Sequence, residues 1–459
     1  MEWKAEKVLV IGAGISGIAA AKMARNFGAE VVLSDAKAEG EIPQDLSELR
    51  SLGVRLALGP QDEKQLDGVT RVILSPAVPV KIPLVQAARQ RQITVESEVE
   101  FAWQLAKAPI YAVTGTNGKT TTTTLLGQLM ETVYPVVGVG GNIGVPLCEE
   151  AVRVGSEGCI VAEISSYQME ATQHFRPRAA AILNVTPDHV VRHGSLEVYQ
   201  QMKEKIFAEQ TAEDFLILNY DDPKTRGMAE RAKAKVCFFS RREALEEGAF
   251  LEDDQLVMRW QGKTHTILPA RQLRIKGGHN IENALAASAV AFLAGAQPEK
   301  IAKVLHDFPG VEHRIEPVRM VDGVMYYNDS KATNTESAIK ALDSFPEEPV
   351  VLIAGGDDKM TDLTEFMQLV KQRCTKLILV GNAAARFKEA AIRNGFPTTD
   401  IREAGYSMEK AVEIAHALAK PSQIVLLSPA CASFDMFSGF EERGRVFKNL
   451  VKALKDTMA

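Results

Sequence analysis

The chain has 459 residues, with 53 Lys or Arg against 59 Asp or Glu and a formal net charge of −6. At about 150 residues per domain this length argues for three domains, and 46% hydrophobic with 24% charged residues excludes a disordered chain, a collagen and a coiled coil. The net acidity argues against a nucleic-acid binder working by bulk charge. No stretch approaches the roughly 20 apolar residues of a spanning helix. The opening Met1–Gly14 runs from charge into a strand and a glycine turn, so no secretory leader is expected. Five scattered cysteines without a CxxC spacing read as reduced, buried thiols of a cytoplasmic protein.

Short β-rich runs alternate with longer helical patterns throughout, which predicts an α/β fold built on parallel sheets. The first block reads as strand Lys7–Ile11, helix Ile15–Phe27, and strands Glu30–Leu33 and Arg71–Leu74. A loop marked by Pro76, Pro79 and Pro83 follows, then a short strand at Thr94-Val95 and a helix Glu96–Ala106. The second block offers strands at Ile110–Thr114, Gly158–Ser165, Ala179–Val185 and Phe215–Asn219. A β region follows at Val236–Phe239, Phe250–Trp260 and Thr264–Leu268, then the helix Asn280–Ala294. The third has strands at Val324–Tyr327, Val350–Ala354, Lys376–Val380 and Gln423–Leu427. Three domains are expected: 1–96, Rossmann-like; 97–310, a central P-loop ATPase-like parallel sheet; and 311–459, Rossmann-like. In the last two blocks nearly every strand ends in a polar cluster, where open parallel sheets bind their ligands.

The strongest motif is Thr114-Gly115-Thr116-Asn117-Gly118-Lys119-Thr120, after a strand and before a helix. Such a loop aims backbone N–H groups and a helix N-terminus at phosphates. Lys119 adds a mobile cation, and the Thr120 hydroxyl suits Mg²⁺. The strict GxxxxGK[ST] pattern fails at its first glycine, which is Val113. Glu163 and His189 each close a strand and can join a shared metal–phosphate site. Gly12-Ala13-Gly14-Ile15-Ser16-Gly17, with Asp35 closing the next strand, is a dinucleotide fingerprint in its proper context. Locally it predicts NAD, and it fits equally any nucleotide that meets that turn. Asn280 and Asn283 share one helix side; Asn280 also reads as an N-cap. Arg314 follows a Pro-Gly loop and reads either as a phosphate clamp or as a surface ion pair. Lys331 and Lys359 bring cations to strand ends, where anions need them.

Taken in order, these residues resemble the Mur ligases, the ATP-dependent amino-acid-adding enzymes of peptidoglycan synthesis. The landmarks are Thr114–Thr120, Glu163–Gln168, His279-Asn280 with Asn283-Ala284, and His313–Glu316. Asn328–Asn334 and Ser428–Asp435 resemble the branch that adds D-glutamate. The resemblance replaces the NAD reading with a UDP-substrate site in the first domain. It implies that D-glutamate is joined to UDP-N-acetylmuramoyl-L-alanine through an acyl phosphate, giving ADP and phosphate. Lys119, Glu163, His189 and Lys203 are the expected catalytic residues. ATP is expected on Gly115, Thr116, Asn117, Gly118, Lys119, Thr120, Thr121, Asn283, Arg314 and Lys331. The UDP substrate is expected on Ile15, Ser16, Asp35, Lys37, Ser75, Asn142 and Ser165, and D-glutamate on Thr333, Lys359, Ser433 and Phe440. Two Mg²⁺ ions are expected on Thr120, Glu163, His189 and a carbamylated Lys203. Without the resemblance Lys203 reads as a helical surface lysine, and Lys205 as facing another side. Val191 stands where the family has Asp, and Lys37 where some relatives have Arg. The protein is expected to be a cytoplasmic monomer acting on small molecules, with no nucleic-acid or membrane partner.

Overall fold

A computed structural model describes residues 3–186 and 190–456. The first sheet holds β1 (Lys7–Ile11), β2 (Glu30–Asp35), β3 (Arg55–Leu58), β4 (Arg71–Leu74) and β5 (Thr94–Ser97). Its order is β3-β2-β1-β4-β5 and all pairs are parallel. The chain reverses its direction of growth between β1 and β4, so the glycine turn after β1 lies at a topological switch point. The connecting helix is Glu98–Leu105, not Glu96–Ala106. Ser97 Oγ accepts the Glu100 N–H at 3.1 Å and caps it, which leaves Glu96 in β5.

The second sheet holds β6 (Ile110–Thr114), β7 (Val137–Gly141), β8 (Cys159–Glu163), β9 (Ala179–Ile182), β10 (Phe215–Asn219), β11 (Lys235–Ser240), β12 (Gly248–Glu252), β13 (Gln255–Trp260) and β14 (Lys263–Pro269). The order is β14-β13-β12-β11-β10-β9-β6-β8-β7. It is parallel from β7 to β12, while β13 and β14 extend it antiparallel. The expected run Phe250–Trp260 is two strands. Asp253 and Asp254 take left-handed φ of 48° and 62° and turn the chain there, a conformation aspartate tolerates.

The third sheet holds β15 (Glu316–Val321), β16 (Val324–Asn328), β17 (Val350–Gly355), β18 (Cys374–Val380), β19 (Ile401–Gly405) and β20 (Ile424–Leu427). The order is β15-β16-β20-β17-β18-β19, with only β15 antiparallel. The architecture is therefore α/β with three mostly parallel sheets. The chain forms two compact units, 1–272 with 282–306 and 273–281 with 307–459. The first contains two sheets and the second contains the third. All five cysteines are buried free thiols. Among the described residues no helix is long and apolar enough to cross a membrane.

Candidate functional site

β6 is buried along its whole length, as its apolar run demands of a central parallel strand. It releases the chain between β8 and β9, the switch point of the second sheet. The loop turns through Gly115 (φ +152°) and Gly118 (φ +86°) into the helix Lys119–Met130. A Cβ on Gly118 would lie 2.3 Å from Asn283 Oδ1, and Thr122 Oγ1 donates to the same oxygen at 3.2 Å. Asn283 thus packs on the phosphate loop. Asn280 is no N-cap: the helix begins at Gly278, and Asn280 Nδ2 donates to Lys276 O at 2.6 Å.

Asn117 and Asn184 exchange two hydrogen bonds across the loop, at 2.8 and 3.1 Å. Lys119 Nζ donates to Gly115 O and Thr116 O, each at 2.9 Å. Thr120 and Thr121 are buried in the first helical turn. Lys203 is 1% exposed, its Nζ donating to Gly115 O at 2.8 Å and lying 4.4 Å from the Tyr199 ring centre. The surface-lysine reading is therefore wrong. Tyr199 sits one helical turn before Lys203 and its hydroxyl meets Thr116 Oγ1 at 3.2 Å. The i, i+4 spacing was the visible signal for this face. Lys205 is no bystander either: it is half-buried and its Nζ donates to the carbonyls of Met169, Glu170 and Thr172. Burial pulls its pKa down.

Glu163, at the tip of β8, is 1% exposed. Its Oε1 accepts from Asn142 Nδ2 at 2.8 Å, while its buried Oε2 has no hydrogen-bond partner among the described residues. A carboxylate oxygen left unpaired in the interior is costly unless a cation meets it, so Glu163 offers a hard oxygen donor of the kind Mg²⁺ takes, and the hydroxyl of buried Thr120 is an oxygen of the same type. His189 lies outside the described residues. Among those described, the cluster Glu312, His313 and Glu316 also has metal-ligand spacing. There the Lys448 ammonium already bridges Glu312 Oε1 and Glu316 Oε1, at 2.6 and 2.9 Å.

Two cavities open at the carboxyl end of the first sheet. One of about 390 Å³ is lined by Gly12, Gly14, Asp35, Lys37, Gln61 and Ser75. The other, about 430 Å³, runs past Ile15, Ser16 and Ser75 to Asn142 and Gln168. Asp35 accepts the Ala13 N–H at 2.7 Å and the Lys37 N–H at 2.9 Å, so its carboxylate braces the glycine turn. A Cβ on Gly17 would lie 1.9 Å from Gly12 O, which explains the third glycine. Ser165 turns its N–H and hydroxyl to Gln168 Oε1.

In the second unit three strand-end loops are tied together. The Asp329 N–H donates to Leu427 O at 2.8 Å, Gly355 N–H to Pro429 O at 2.9 Å, and Asp357 N–H to Ala432 O at 3.0 Å. These loops carry Lys331 and Thr333 after β16, Lys359 after β17 and Ser433 after β20. Lys359 is exposed and Ser433 buried. Lys331 Nζ lies 5.4 Å from the Phe440 ring centre, so a residue expected at ATP adjoins one expected at D-glutamate. Arg314 is half-buried in the same unit. Arg443, which no sequence motif singles out, is 2% exposed. Its guanidinium donates to Ser330 Oγ and O, Cys431 O and Ala432 O at 2.7–3.1 Å. Burial lowers its pKa to about 10. Burial likewise raises Asp329 to about 7, against the Ser428 hydrogen bond and the Arg314 charge.

A glycine-rich phosphate loop at the switch point of a parallel sheet, with an acidic strand tip beside it, defines a nucleotide-using enzyme of the P-loop type. Family profiles divide the chain among the Mur ligase MurD-like N-terminal domain (residues 6–97), the Mur ligase middle domain (113–291) and the Mur ligase glutamate ligase domain (313–431). The chain is 44% identical to the UDP-N-acetylmuramoylalanine–D-glutamate ligase of Thermoanaerobacter sp. (strain X514), over 99% of this chain and all of the relative. It is 45% identical to the ligase of the same name from Caldanaerobacter subterraneus subsp. tengcongensis, again over 99% and 100%. In fold it is similar to the UDP-N-acetylmuramate–alanine ligase MurC of Thermotoga maritima (TM-score 0.60, 20% identity, 98% and 100% covered). It is also similar to the MurF ligase of Acinetobacter baumannii (TM-score 0.61, 17% identity, 96% and 93% covered). The chain belongs to the Mur ligase family, in the branch of the UDP-N-acetylmuramoylalanine–D-glutamate ligases. It is a ligase, and membership of this family implies ATP and Mg²⁺ as its reagents.

Proposed function

We propose that this chain joins D-glutamate to UDP-N-acetylmuramoyl-L-alanine with ATP, in the synthesis of peptidoglycan precursors in the cytoplasm, as a monomer. The observation that carries this reading is Asn142. It lines the cavity leading from the dinucleotide-type turn and hydrogen-bonds Glu163 at the phosphate-loop end. A substrate with its nucleotide at the first sheet therefore reaches toward the phosphoryl site with its other end. The domains divide at 96/97 and 310/311, close to the ends of β5 and the start of β15.

The alanine carboxylate oxygen attacks the γ-phosphorus of ATP, and ADP leaves. The D-glutamate amine then attacks the acyl phosphate carbon, and the tetrahedral intermediate expels phosphate and loses the amine proton. The backbone of Gly115–Gly118 and the Lys119 ammonium hold the phosphates. Asn283, Arg314 and Lys331 serve ATP, and Asp35, Lys37, Ile15, Ser16, Ser75, Asn142 and Ser165 serve the UDP substrate. Thr333, Lys359, Ser433 and Phe440 form the D-glutamate pocket. Glu163 and Thr120 would hold Mg²⁺, as two ions together with His189 and Lys203. Bound Mg²⁺ neutralises phosphate charge against the approaching carboxylate. Lys203 is carbamylated: its neutral amine adds to the carbon of CO₂ and a proton leaves. The carbamate keeps one N–H for Gly115 O and turns a cation into an anion.

Phosphate release in the presence of ATP, UDP-N-acetylmuramoyl-L-alanine and single amino acids tests the reading. Release is expected to require D-glutamate. L-Glutamate misplaces its amine or a carboxylate and leaves a buried charge unpaired, so discrimination is strong. Comparable kcat/KM for the two enantiomers would refute the assignment.

A further inference from the structure

Arg192 lies in the short helical turn Val190–His193 that precedes the helix of Lys203. Its guanidinium is shared between two parts of the first unit. Nε and Nη2 make a bidentate pair with Glu170, at 2.9 and 2.8 Å. Nη1 and Nη2 also donate to Ala77 O, Pro76 O and Val78 O, at 3.2–3.3 Å. The Tyr167 ring centre lies 4.5 Å from the guanidinium carbon. Pro76–Val78 is the loop after β4, and Ala77 lines both cavities at the first sheet. Tyr167 belongs to the turn that follows Glu163, and Glu170 to the 3₁₀ segment Gln168–Ala171 that Lys205 caps. Five donors in a planar fork satisfy such a junction, whereas the point charge of a lysine cannot.

We propose that Arg192 is a positioning residue that couples the UDP-substrate cavity to the phosphate-loop end of the first unit. The three carbonyls fix the Pro76–Val78 loop against the element that carries Arg192. Glu170 and Tyr167 fix the same guanidinium against the turn behind Glu163. A substrate seated on the loop thereby sets where its far end meets Glu163. His193 reinforces the junction, its Nε2 meeting Ser166 Oγ at 3.0 Å with the ring set between Tyr167 and Tyr199. Arg192 touches no reacting atom, so its loss acts through geometry, where misplacement of about 1 Å costs rate steeply.

The inference rests on the proposed reaction, and the two fail differently. Absence of D-glutamate-dependent phosphate release by the unaltered enzyme overturns the reaction. With that activity present, R192A and R192K are compared with it. Both are expected to raise the KM for the UDP substrate about tenfold and to lower kcat by a similar factor, the scale of a lost charge-assisted pair. The KM for ATP is expected to stay within about twofold. Calorimetric binding of the UDP substrate alone is expected to weaken in parallel, independently of turnover. E170Q is expected to reproduce part of the effect, and R192A/E170Q to be no worse than R192A, as for one coupled unit. Unchanged KM and binding for the UDP substrate, or equal rises in both KM values, would overturn the coupling. So would full rescue of both constants by R192K, since charge alone would then suffice.

Discussion

Lys203 and Lys205 are two residues apart in sequence and both donate to backbone carbonyls, yet they serve different elements. Lys203 meets the phosphate loop through Gly115 O, and Lys205 closes the Met169–Thr172 segment. Lys203→Ala is expected to lower kcat at least about 10²-fold, the scale of one preorganised electrostatic group, and a small carboxylic acid should restore part of it. Full activity of the variant would end the carbamate proposal. Lys205→Ala strips three partly buried carbonyls of a donor and is expected to lower the melting temperature, so it cannot serve as a neutral control. Asp329 supports a second prediction. Its pKa is raised from 3.8 to about 7, chiefly by burial, so between these values the folded state binds more protons than the unfolded chain. Stability from this group is full below about pH 4 and is lost as pH rises towards 7. Asp329→Asn removes the titration. The wild type is expected to lose melting temperature relative to this variant between pH 5 and 7, with a constant difference above. A difference that stays flat across that range would contradict the burial argument.

Among elements, the phosphate loop was legible because three signals coincide: a buried apolar strand, glycines where φ is positive, and a Lys-Thr helix start. The strands that escaped the sequence reading are β3, β7, β15 and β19. All four are sheet edges, and their residues are interrupted by exposed or half-exposed positions. An edge strand lacks the second covered side that forces a continuous apolar run, so its periodicity carries less information. Arg443 and Arg192 escaped for a related reason. Most of their hydrogen bonds go to main-chain carbonyls, which any residue can supply, and Glu170, the acid that pairs with Arg192, lies 22 residues away with no motif to link them. The loop itself is testable through Gly118→Ala. The added Cβ meets a left-handed φ and the Asn283 oxygen 2.3 Å away. Asn283 must move, so the variant is expected to raise the KM for ATP at least about tenfold and leave that for the UDP substrate nearly unchanged. Steady-state kinetics with each substrate varied decides this, and an unaltered ATP constant would separate Asn283 from nucleotide binding.

For the whole chain, the three sheets fit the three domains read from the sequence, and packing joins the first two into one compact unit. The reason lies in the helix Glu98–Leu105. It buries Val99, Phe101 and Ala102 in one apolar core that contains Val8 and Leu33 of the first sheet together with Ile110 and Ile182 of the second. Its acids add polar ties: Glu98 accepts the Cys148 N–H at 2.7 Å, and Glu100 accepts N–H groups of Gln173, His174 and Phe175. Exposing either sheet alone would leave these carboxylates and that core uncovered, so the two sheets are expected to unfold as one cooperative body. The third sheet has separate cores around Leu352 and Phe447. Scanning calorimetry is therefore expected to resolve two transitions. UDP-N-acetylmuramoyl-L-alanine should stabilise only the one that contains residues 1–272, by about 2.7 kcal/mol at a hundredfold excess over its Kd. Tryptophan emission can assign it, because Trp3, Trp103 and Trp260 all lie in the first unit. Three separable transitions, or a shift of the tryptophan-silent transition by the UDP substrate, would contradict this division.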